Sequence, residues 1–258
     1  MVDVNMLAVS VGNSRTRMGA FVDGKLTESA TYLNRRGGKL GHAMEQAFQL
    51  LHDCEDVVVL MSSVNGRDAE AIENQLSQQF GHVIKHAERD LTIPIGRQLD
   101  PEAIVGEDRL LNAAAAYDVL RQACVVIDAG TAITVDFVDG AGTFHGGAIA
   151  AGAQLMLDSL HRQAWLLPEV EFDRPVECIG HNTIEAMRAG VFHGLRGMVR
   201  ELAEHYAEKA GTFPTVLATG GDAALLFRDY DLVDRIVPDL TLMGLAVTLR
   251  VAMEGGSD

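Results

Sequence analysis

The stretch Asp128-Ala129-Gly130-Thr131-Ala132-Ile133-Thr134 aligns with an earlier stretch, Ser10-Val11-Gly12-Asn13-Ser14-Arg15-Thr16. Each follows an apolar run typical of a buried strand, and each leads into a return strand that ends at an Asp-Gly turn. The register slips by two residues before that turn. A repeat of about half the chain is too long for a solenoid. The two stretches therefore predict a duplicated α/β fold.

The segments around the two stretches alternate between strand and helix patterns, which is typical of α/β architecture. Apolar runs predict strands at 7–11, 57–61, 125–128 and 215–218, and helical spacing predicts helices near 109–122, 153–165, 183–209 and 240–253. The strand pattern restarts at Cys124, after a loop that contains Pro94, Gly96 and Pro101. We therefore expect two domains, 1–115 and 116–258.

Composition narrows the functional classes. The 258 residues include 36 Asp and Glu against 21 Lys and Arg, a formal net charge of −15. Nucleic acids and anionic membranes both attract basic surfaces, so the charge argues against either as the main partner. The first residues lack the basic start of a signal peptide, and the apolar stretches are too short to span a bilayer. With three scattered cysteines, the sequence predicts a cytoplasmic protein.

The later stretch carries groups that suit phosphate and cation binding. Gly130 lets the backbone approach a ligand closely, and the Thr131 hydroxyl can donate to the same phosphate. Asp128 and Asp136 can hold a cation that neutralises phosphate charge. The alternative is an ordinary hairpin with a glycine turn and solvated carboxylates, although a second copy of the motif favours the ligand site.

The earlier stretch has the glycine and the hydroxyls but no carboxylate at the strand end. Instead it carries Arg15 and Arg17, which lie two residues apart and so share one face of a strand. Two guanidinium groups on one face can clamp a phosphate. From spacing alone, solvated arginines on an edge hairpin explain the pattern equally well.

The turn Gly106-Glu107-Asp108-Arg109 opens a predicted helix. Asp108 can accept a proton from a substrate hydroxyl, and Arg109 can pair with a carboxylate or phosphate. The alternative is an acidic first turn that complements the helix dipole. Further along, Asn182 and Glu185 have the spacing of a helix N-cap, which also places Thr183 at the start of that helix.

Taken in chain order, these motifs resemble those of the type III pantothenate kinases, over nearly the whole chain. The matching segments are Gly12-Asn13-Ser14, Gly106-x-Asp108-Arg109-x-x-Asn112, Asp128-x-Gly130-Thr131-Ala132-x-Thr134-x-Asp136, Gly146-Gly147-x-Ile149-x-x-Gly152, Asn182-Thr183 and Thr219-Gly220-Gly221. The family belongs to the acetate and sugar kinase/Hsp70/actin superfamily. The resemblance implies two ribonuclease H-like domains of the actin-like ATPase fold, facing across a nucleotide cleft.

The resemblance implies ATP-dependent phosphorylation of pantothenate to 4'-phosphopantothenate, the first step of coenzyme A biosynthesis, by a homodimer. It implies ATP with Mg²⁺ and a monovalent cation, K⁺ or NH₄⁺, bound at Asp128. Asp108 is then the catalytic residue. The resemblance implies that pantothenate is bound by Gly106, Glu107, Asp108, Arg109 and Thr183. It also implies that ATP is bound by Ser10, Val11, Gly12, Asn13, Ser14, Arg15, Thr16, Arg17 and Thr131.

The chain departs from the family pattern at two points. Ser10 stands where the family has an Asp that engages the Mg²⁺–ATP complex, and a tyrosine usual before the Gly-x-Asp-Arg turn is missing from 95–105. Three hypotheses follow from the sequence. The chain is an active pantothenate kinase, a non-catalytic relative that binds pantothenate or nucleotide, or a kinase for another small alcohol.

Overall fold

The computed structural model describes residues 4–34, 40–80 and 83–255. The elements, in chain order, are β1 (Met6–Val11), β2 (Arg15–Val22), β3 (Lys25–Leu33), α1 (Leu40–Leu51), β4 (Val58–Ser63), α2 (Gly66–Phe80), β5 (Ile84–His86), β6 (Gly96–Arg97), α3 (Glu107–Leu120), β7 (Cys124–Ala129), β8 (Ala132–Val138), β9 (Thr143–Ala151), α4 (Ala153–Gln163), α5 (Thr183–Ala210), β10 (Thr215–Thr219), α6 (Ala223–Phe227), β11 (Arg235–Ile236) and α7 (Leu240–Gly255). They form two compact units. Unit 1 comprises Met1–Gly96, Asp100–Val119 and Asp239–Asp258, and unit 2 comprises Arg97–Leu99 and Leu120–Pro238.

Unit 1 is built on a five-stranded sheet in the order β3-β2-β1-β4-β5. The first three strands run antiparallel, and β4 and β5 continue parallel to β1. Alternate residues of β1, including Leu7 and Val9, pack with Leu51 of α1 and with Ile72 and Leu76 of α2. Because strand side chains alternate between faces, Ala8 and Ser10 point to the opposite face of the sheet.

The last helix of the chain contacts the sheet of unit 1. Helix α7 lies against β1, β2 and β4. A Cβ at Gly19 of β2 would lie 2.9 Å from the Leu242 side chain, and one at Gly244 would overlap the Leu111 carbonyl of α3. These two glycines therefore allow α7 to pack closely against both β2 and α3. The Thr241 hydroxyl also donates a 2.8 Å hydrogen bond to the side-chain Oδ1 of Asn112 inside the unit.

Unit 2 repeats the topology of unit 1. Its sheet has the order β11-β10-β7-β8-β9-β6, so that β9-β8-β7-β10-β11 matches the strand order of the first sheet. The directions also match, because β7, β8 and β9 are antiparallel and β10 and β11 run parallel to β7. A large apolar core packs one face of this sheet against α4, α5 and α6.

The predicted duplicated α/β fold is confirmed. The structure adds β3 and β9, two strands that the sequence patterns did not single out. It also groups 239–258 with unit 1, whereas the prediction placed that segment in the second domain. Among the described residues, no helix combines the length and apolar character needed to cross a membrane.

Candidate active site

In unit 1, Ser10 lies near the carboxyl end of β1 with a polar neighbour on each side. It pairs with Arg17 on antiparallel β2 and with Ser62 on parallel β4. The Arg17 Nε lies 3.5 Å from an Asp239 oxygen, and Ser29 Oγ donates to the other Asp239 oxygen at 2.6 Å. Arg17, predicted to clamp phosphate, is thus already paired with a carboxylate.

The loop that follows β1 is tightly turned and open to solvent. The Gly12 N–H donates to the Arg15 carbonyl at 3.0 Å, and Asn13, Ser14 and Arg15 are exposed. Thr16, by contrast, is buried, and its hydroxyl donates to Asn34 at 2.9 Å. Of the predicted ATP-binding segment 10–17, residues 13–15 are therefore the ones whose side chains are exposed to a ligand.

Asp108 is held against the start of α3. Its Oδ1 accepts the Arg109 backbone N–H at 2.8 Å. A Cβ at position 106 would lie 2.6 Å from the same oxygen, so Gly106 leaves room for the carboxylate to fold back over it. Burial raises the pKa of Asp108 above its ordinary value, against the opposing effect of the Arg109 N–H and charge. A carboxylate with a raised pKa is a stronger base.

Glu107 fastens the same turn to the sheet. Its carboxylate accepts the Ser63 backbone N–H at 3.0 Å, at the end of β4. Burial raises the pKa of Glu107, and the Ser63 N–H opposes that shift. Val64, which follows Ser63 in the chain, donates its N–H to the Val11 carbonyl at 3.1 Å. The end of β4 therefore joins the first loop and the Gly106–Arg109 turn at one edge of the unit 1 sheet.

In unit 2, Asp128 occupies the place that Ser10 holds in unit 1, two residues before the glycine of its hairpin. It pairs with Thr134 on β8 and with Thr219 on β10. Side chains of paired residues share a face of the sheet, so three oxygen-bearing side chains form a row. The hydroxyls of Thr134 and Thr219 are both buried, and neither has a hydrogen-bond partner within the part of the chain that the structure describes.

Gly220 shapes the space around that row. Its φ of +95° is a backbone conformation that side chains rarely adopt, and a Cβ there would lie 2.5 Å from Asp128 Oδ1. The Gly-Gly sequence after β10 thus leaves room for the Asp128 carboxylate, an explanation that the sequence pattern alone did not provide.

The two remaining predicted residues of unit 2 lie on separate elements. Thr131 is exposed in the β7–β8 turn, and its carbonyl accepts the Gly152 N–H at 3.0 Å. Thr183 is exposed as the first residue of α5. The predicted cap is confirmed, because the Asn182 side chain accepts the Glu185 N–H at 3.0 Å.

The structure also contains polar residues at the site that the sequence analysis did not identify. Asn34 and Asn65 contact the loop that follows β1, and Asp68 contacts both of these asparagines. The spacing Asn65-x-x-Asp68 before α2 was a usable signal for two of them, because it has the form of a helix cap. Within the described ranges, no group of three or more His, Cys, Asp or Glu side chains is arranged to hold a metal ion.

Sequence comparison identifies one family. A family model for type III pantothenate kinase matches residues 6–205. A type III pantothenate kinase of Rhodospirillum rubrum is 35% identical over 252 residues, which is 95% of this chain and 98% of the relative.

Comparison with solved structures addresses the fold. A Campylobacter jejuni protein described as a Baf family transcriptional activator aligns with a TM-score of 0.62 and 20% identity, over 96% of this chain and 99% of the other. Component A of (R)-2-hydroxyglutaryl-CoA dehydratase from Acidaminococcus fermentans aligns with a TM-score of 0.55 and 16% identity, over 98% and 100% of the two chains. These similarities place the chain in the actin-like ATPase fold.

Proposed function

The chain belongs to the type III pantothenate kinase family, and from this premise we propose how its residues carry out the reaction. The reaction is the transfer of the γ-phosphoryl group of ATP to the hydroxyl of pantothenate, which opens coenzyme A biosynthesis. The observation that carries the proposal is Asp108, a half-buried carboxylate with a raised pKa at the start of α3. It lies in the segment Gly106-x-Asp108-Arg109, one of the segments that carry the sequence resemblance to the family.

Asp108 is the proposed catalytic residue. It orients the pantothenate hydroxyl and accepts its proton as the new P–O bond forms, so that the alcohol oxygen keeps the electron pair that attacks phosphorus. Arg109 is the proposed partner of the pantothenate carboxylate, since a guanidinium binds a carboxylate through two parallel hydrogen bonds. Gly106 and Glu107 complete this turn, and Thr183 is a further proposed contact for pantothenate.

The exposed loop after β1 is the proposed first phosphate site, with Arg15 and the backbone N–H groups of residues 13 and 14 directed at ATP. Thr131 is the proposed phosphate contact of unit 2. Phosphoryl transfer depends mainly on positioning and charge neutralisation, so loops of this kind are the principal catalytic contribution of a kinase besides its base.

ATP and a divalent metal are general requirements of a kinase of this fold. We propose that Mg²⁺ arrives as the MgATP substrate, neutralising the phosphate charge. The row at the end of β1 consists of Ser10, Arg17 and Ser62. These residues offer hydroxyls and a guanidinium, and the guanidinium is paired with the Asp239 carboxylate. This row suits the phosphates better than the metal ion.

The row in unit 2 fits a monovalent cation. Asp128 supplies negative charge, and the buried hydroxyls of Thr134 and Thr219 supply oxygen atoms that form no hydrogen bond with any described residue. Hard cations prefer such oxygen donors, and a bound ion would satisfy both hydroxyls. We therefore propose that this row holds K⁺ or NH₄⁺.

Exposed apolar side chains support the proposal of a homodimer. Trp165 and Val176, on the connection between α4 and α5, are 98% and 99% exposed, and Leu166 is 85% exposed. Large exposed apolar residues in one segment are typical of interaction surfaces.

The three cysteines are free, which agrees with a proposed cytoplasmic location.

The test is a turnover assay with the purified chain, MgATP, KCl and pantothenate, in which ADP release is coupled to NADH oxidation and the product is identified by mass. We expect 4'-phosphopantothenate. Pantothenol, in which an alcohol replaces the carboxylate, should react with a much higher KM if Arg109 binds that carboxylate. Equal kcat/KM for the two substrates would overturn the role of Arg109.

A second candidate function rests on Ser10, which lacks the charge of the family's Asp. A non-catalytic relative would bind pantothenate or ATP, measurable by calorimetry, without releasing ADP above background. A kinase for another small alcohol would instead turn over a different hydroxy acid and leave pantothenate as a weak competitor.

A further inference from the structure

We propose that Asp68 is a positioning residue for the first phosphate loop, acting through Asn34 and Asn65. The proposal rests on the function proposed above, because it assumes that this loop binds ATP. Asp68 lies in the first turn of α2, Asn34 follows β3, and Asn65 precedes α2. The three residues therefore link two separate segments of unit 1 beneath one loop.

Asp68 is the centre of this network. Its Oδ2 accepts a hydrogen bond from Asn34 Nδ2 at 2.8 Å and another from Asn65 Nδ2 at 2.8 Å. A carboxylate oxygen accepts hydrogen bonds and donates none, so it can receive both amides at once. The acceptor is charged, which makes these bonds stronger than those between neutral groups.

The two amides carry the connection to the loop backbone. Asn34 Nδ2 also donates to the Gly12 carbonyl at 2.9 Å, and Asn65 Nδ2 lies 3.5 Å from the Asn13 carbonyl. The Asn34 N–H donates to the Ser14 carbonyl at 3.1 Å. The C=O and N–H of one peptide unit point in opposite directions, so holding the Gly12 and Asn13 carbonyls on the protein side turns the N–H groups of residues 13 and 14 outward, where they can bind phosphate.

Asn34 is itself fixed in orientation. Its side-chain oxygen accepts the hydroxyl of Thr16, a residue that is 1% exposed, at 2.9 Å. The amide nitrogen must then point toward Gly12 and Asp68, since the two ends of the amide have opposite hydrogen-bonding roles. Asp68 thus completes a network that has one hydrogen-bond arrangement.

Because Asp68 is negatively charged, the direction of the change in the KM for MgATP distinguishes a positioning role from a purely electrostatic one. A carboxylate near a phosphate site repels ATP, so its removal should tighten ATP binding if charge alone mattered. If Asp68 positions the loop, its removal should weaken ATP binding. The two explanations therefore predict opposite changes in the KM for MgATP.

The experiment compares Asp68→Ala, Asp68→Asn and Asn34→Ala with the wild type by steady-state kinetics in both substrates. We expect Asp68→Ala and Asn34→Ala each to raise the KM for MgATP about tenfold, with the KM for pantothenate unchanged. Asp68→Asn loses the same charge but keeps an acceptor oxygen, so it should recover most of the loss. A double variant that combines Asp68→Ala with Asn34→Ala should have a KM for MgATP little higher than that of either single variant, because both residues act through one network.

Glu70→Ala is the matched control, because Glu70 is an exposed carboxylate on the same helix. It should leave both KM values unchanged, and thermal melting should show that every variant is folded. An unchanged or lower KM for MgATP in Asp68→Ala, with wild-type turnover intact, overturns the positioning role alone. Absence of wild-type turnover together with absence of ATP binding overturns the proposed function and this inference with it.

Discussion

The two β-sheets have the same strand order, yet the rows at equivalent strand ends carry opposite charge. In unit 1, Ser10 lies between Arg17 and Ser62, so the row contains a cation and no acid. In unit 2, Asp128 lies between Thr134 and Thr219, so the row contains an acid and no cation. On the duplicated scaffold we have thus proposed one row for phosphate and the other for a positive ion.

The rows also differ in how their polar atoms are satisfied. In unit 1, Arg17 is paired with Asp239, and the adjoining loop is held by the amides of Asn34 and Asn65. In unit 2, the buried hydroxyls of Thr134 and Thr219 have no hydrogen-bond partner among the described residues. A site whose polar groups already have partners is organised before its ligand binds. Buried oxygens without a partner gain a hydrogen-bonding or ionic partner only when a ligand binds. Variants can test each half of this contrast.

The largest expected effect concerns Asp108, the base assigned to the unit with the cationic row. Asp108→Asn keeps the shape of the side chain but cannot take a proton, so kcat should fall by roughly 10²–10⁴-fold. Turnover should be followed by ADP release, with pantothenate binding measured in parallel by calorimetry. A kcat within threefold of the wild type would remove Asp108 from the mechanism.

The same variant should not lose stability. Burial raises the pKa of Asp108 in the folded protein, so its contribution to stability is present below the unfolded pKa and lost as pH rises through the folded pKa. At pH 7 the ionised carboxylate therefore costs stability, and Asp108→Asn should unfold at an equal or higher urea concentration. A clear decrease would mean that the carboxylate is needed to hold the turn.

Asp128→Ser makes the row of unit 2 resemble that of unit 1. We expect loss of activation by K⁺ and a roughly tenfold to hundredfold lower kcat/KM at saturating KCl. The melting temperature of the wild type should rise with KCl relative to LiCl, and that difference should disappear in the variant. Asp173→Ser, an exposed acid of the same unit, is the control. An intact K⁺ response in Asp128→Ser would place the cation elsewhere.

Ser10→Asp is the reciprocal change, and it should have a smaller effect. A carboxylate at this strand end can engage the metal ion of MgATP, so kcat/KM for MgATP should rise about tenfold. Part of the gain is offset because the new acid competes with Asp239 for Arg17. Ser10→Asn, similar in size and uncharged, should show no gain. If both variants behave alike, charge at this position does not matter.

The smallest expected effect is on the pH profile. Asp108 must be ionised to accept a proton, and burial raises its pKa above the ordinary 3.8. The acid limb of kcat/KM should therefore lie at a higher pH than that of an ordinary aspartate. A limb at or below the ordinary 3.8, measured with pantothenate concentrations well under KM, would contradict the effect of burial.

The sequence predicted those parts of the fold whose patterns are local. The strong helical spacing of 183–209 and its Asn182 cap were both confirmed. Strand β3 was missed because most of its residues are exposed and its apolar alternation is weak. Strand β9 was missed because it is rich in glycine, and Gly147 there leaves room for the Asp136 side chain of the neighbouring strand.

The site was predictable to the extent that its motifs are continuous in sequence. Gly106–Arg109 is one turn, so its chemistry could be inferred from four consecutive residues. The contacts of Asp68 with Asn34 and of Asp128 with Thr219 depend on strands and helices far apart in the chain. No local pattern encodes such pairings, because tertiary packing brings the partners together.

The position of helix α7 in the chain affects the order in which the two units can fold during synthesis. Unit 2 is almost entirely one continuous segment, 120–238, whereas unit 1 is finished by 239–258. A chain emerging from the ribosome therefore has all the residues of the second unit before it has those of the first. Asp239, the partner of Arg17, is made after the residues of unit 2. The Arg17–Asp239 ion pair should accordingly form only after every residue of unit 2 has been synthesised.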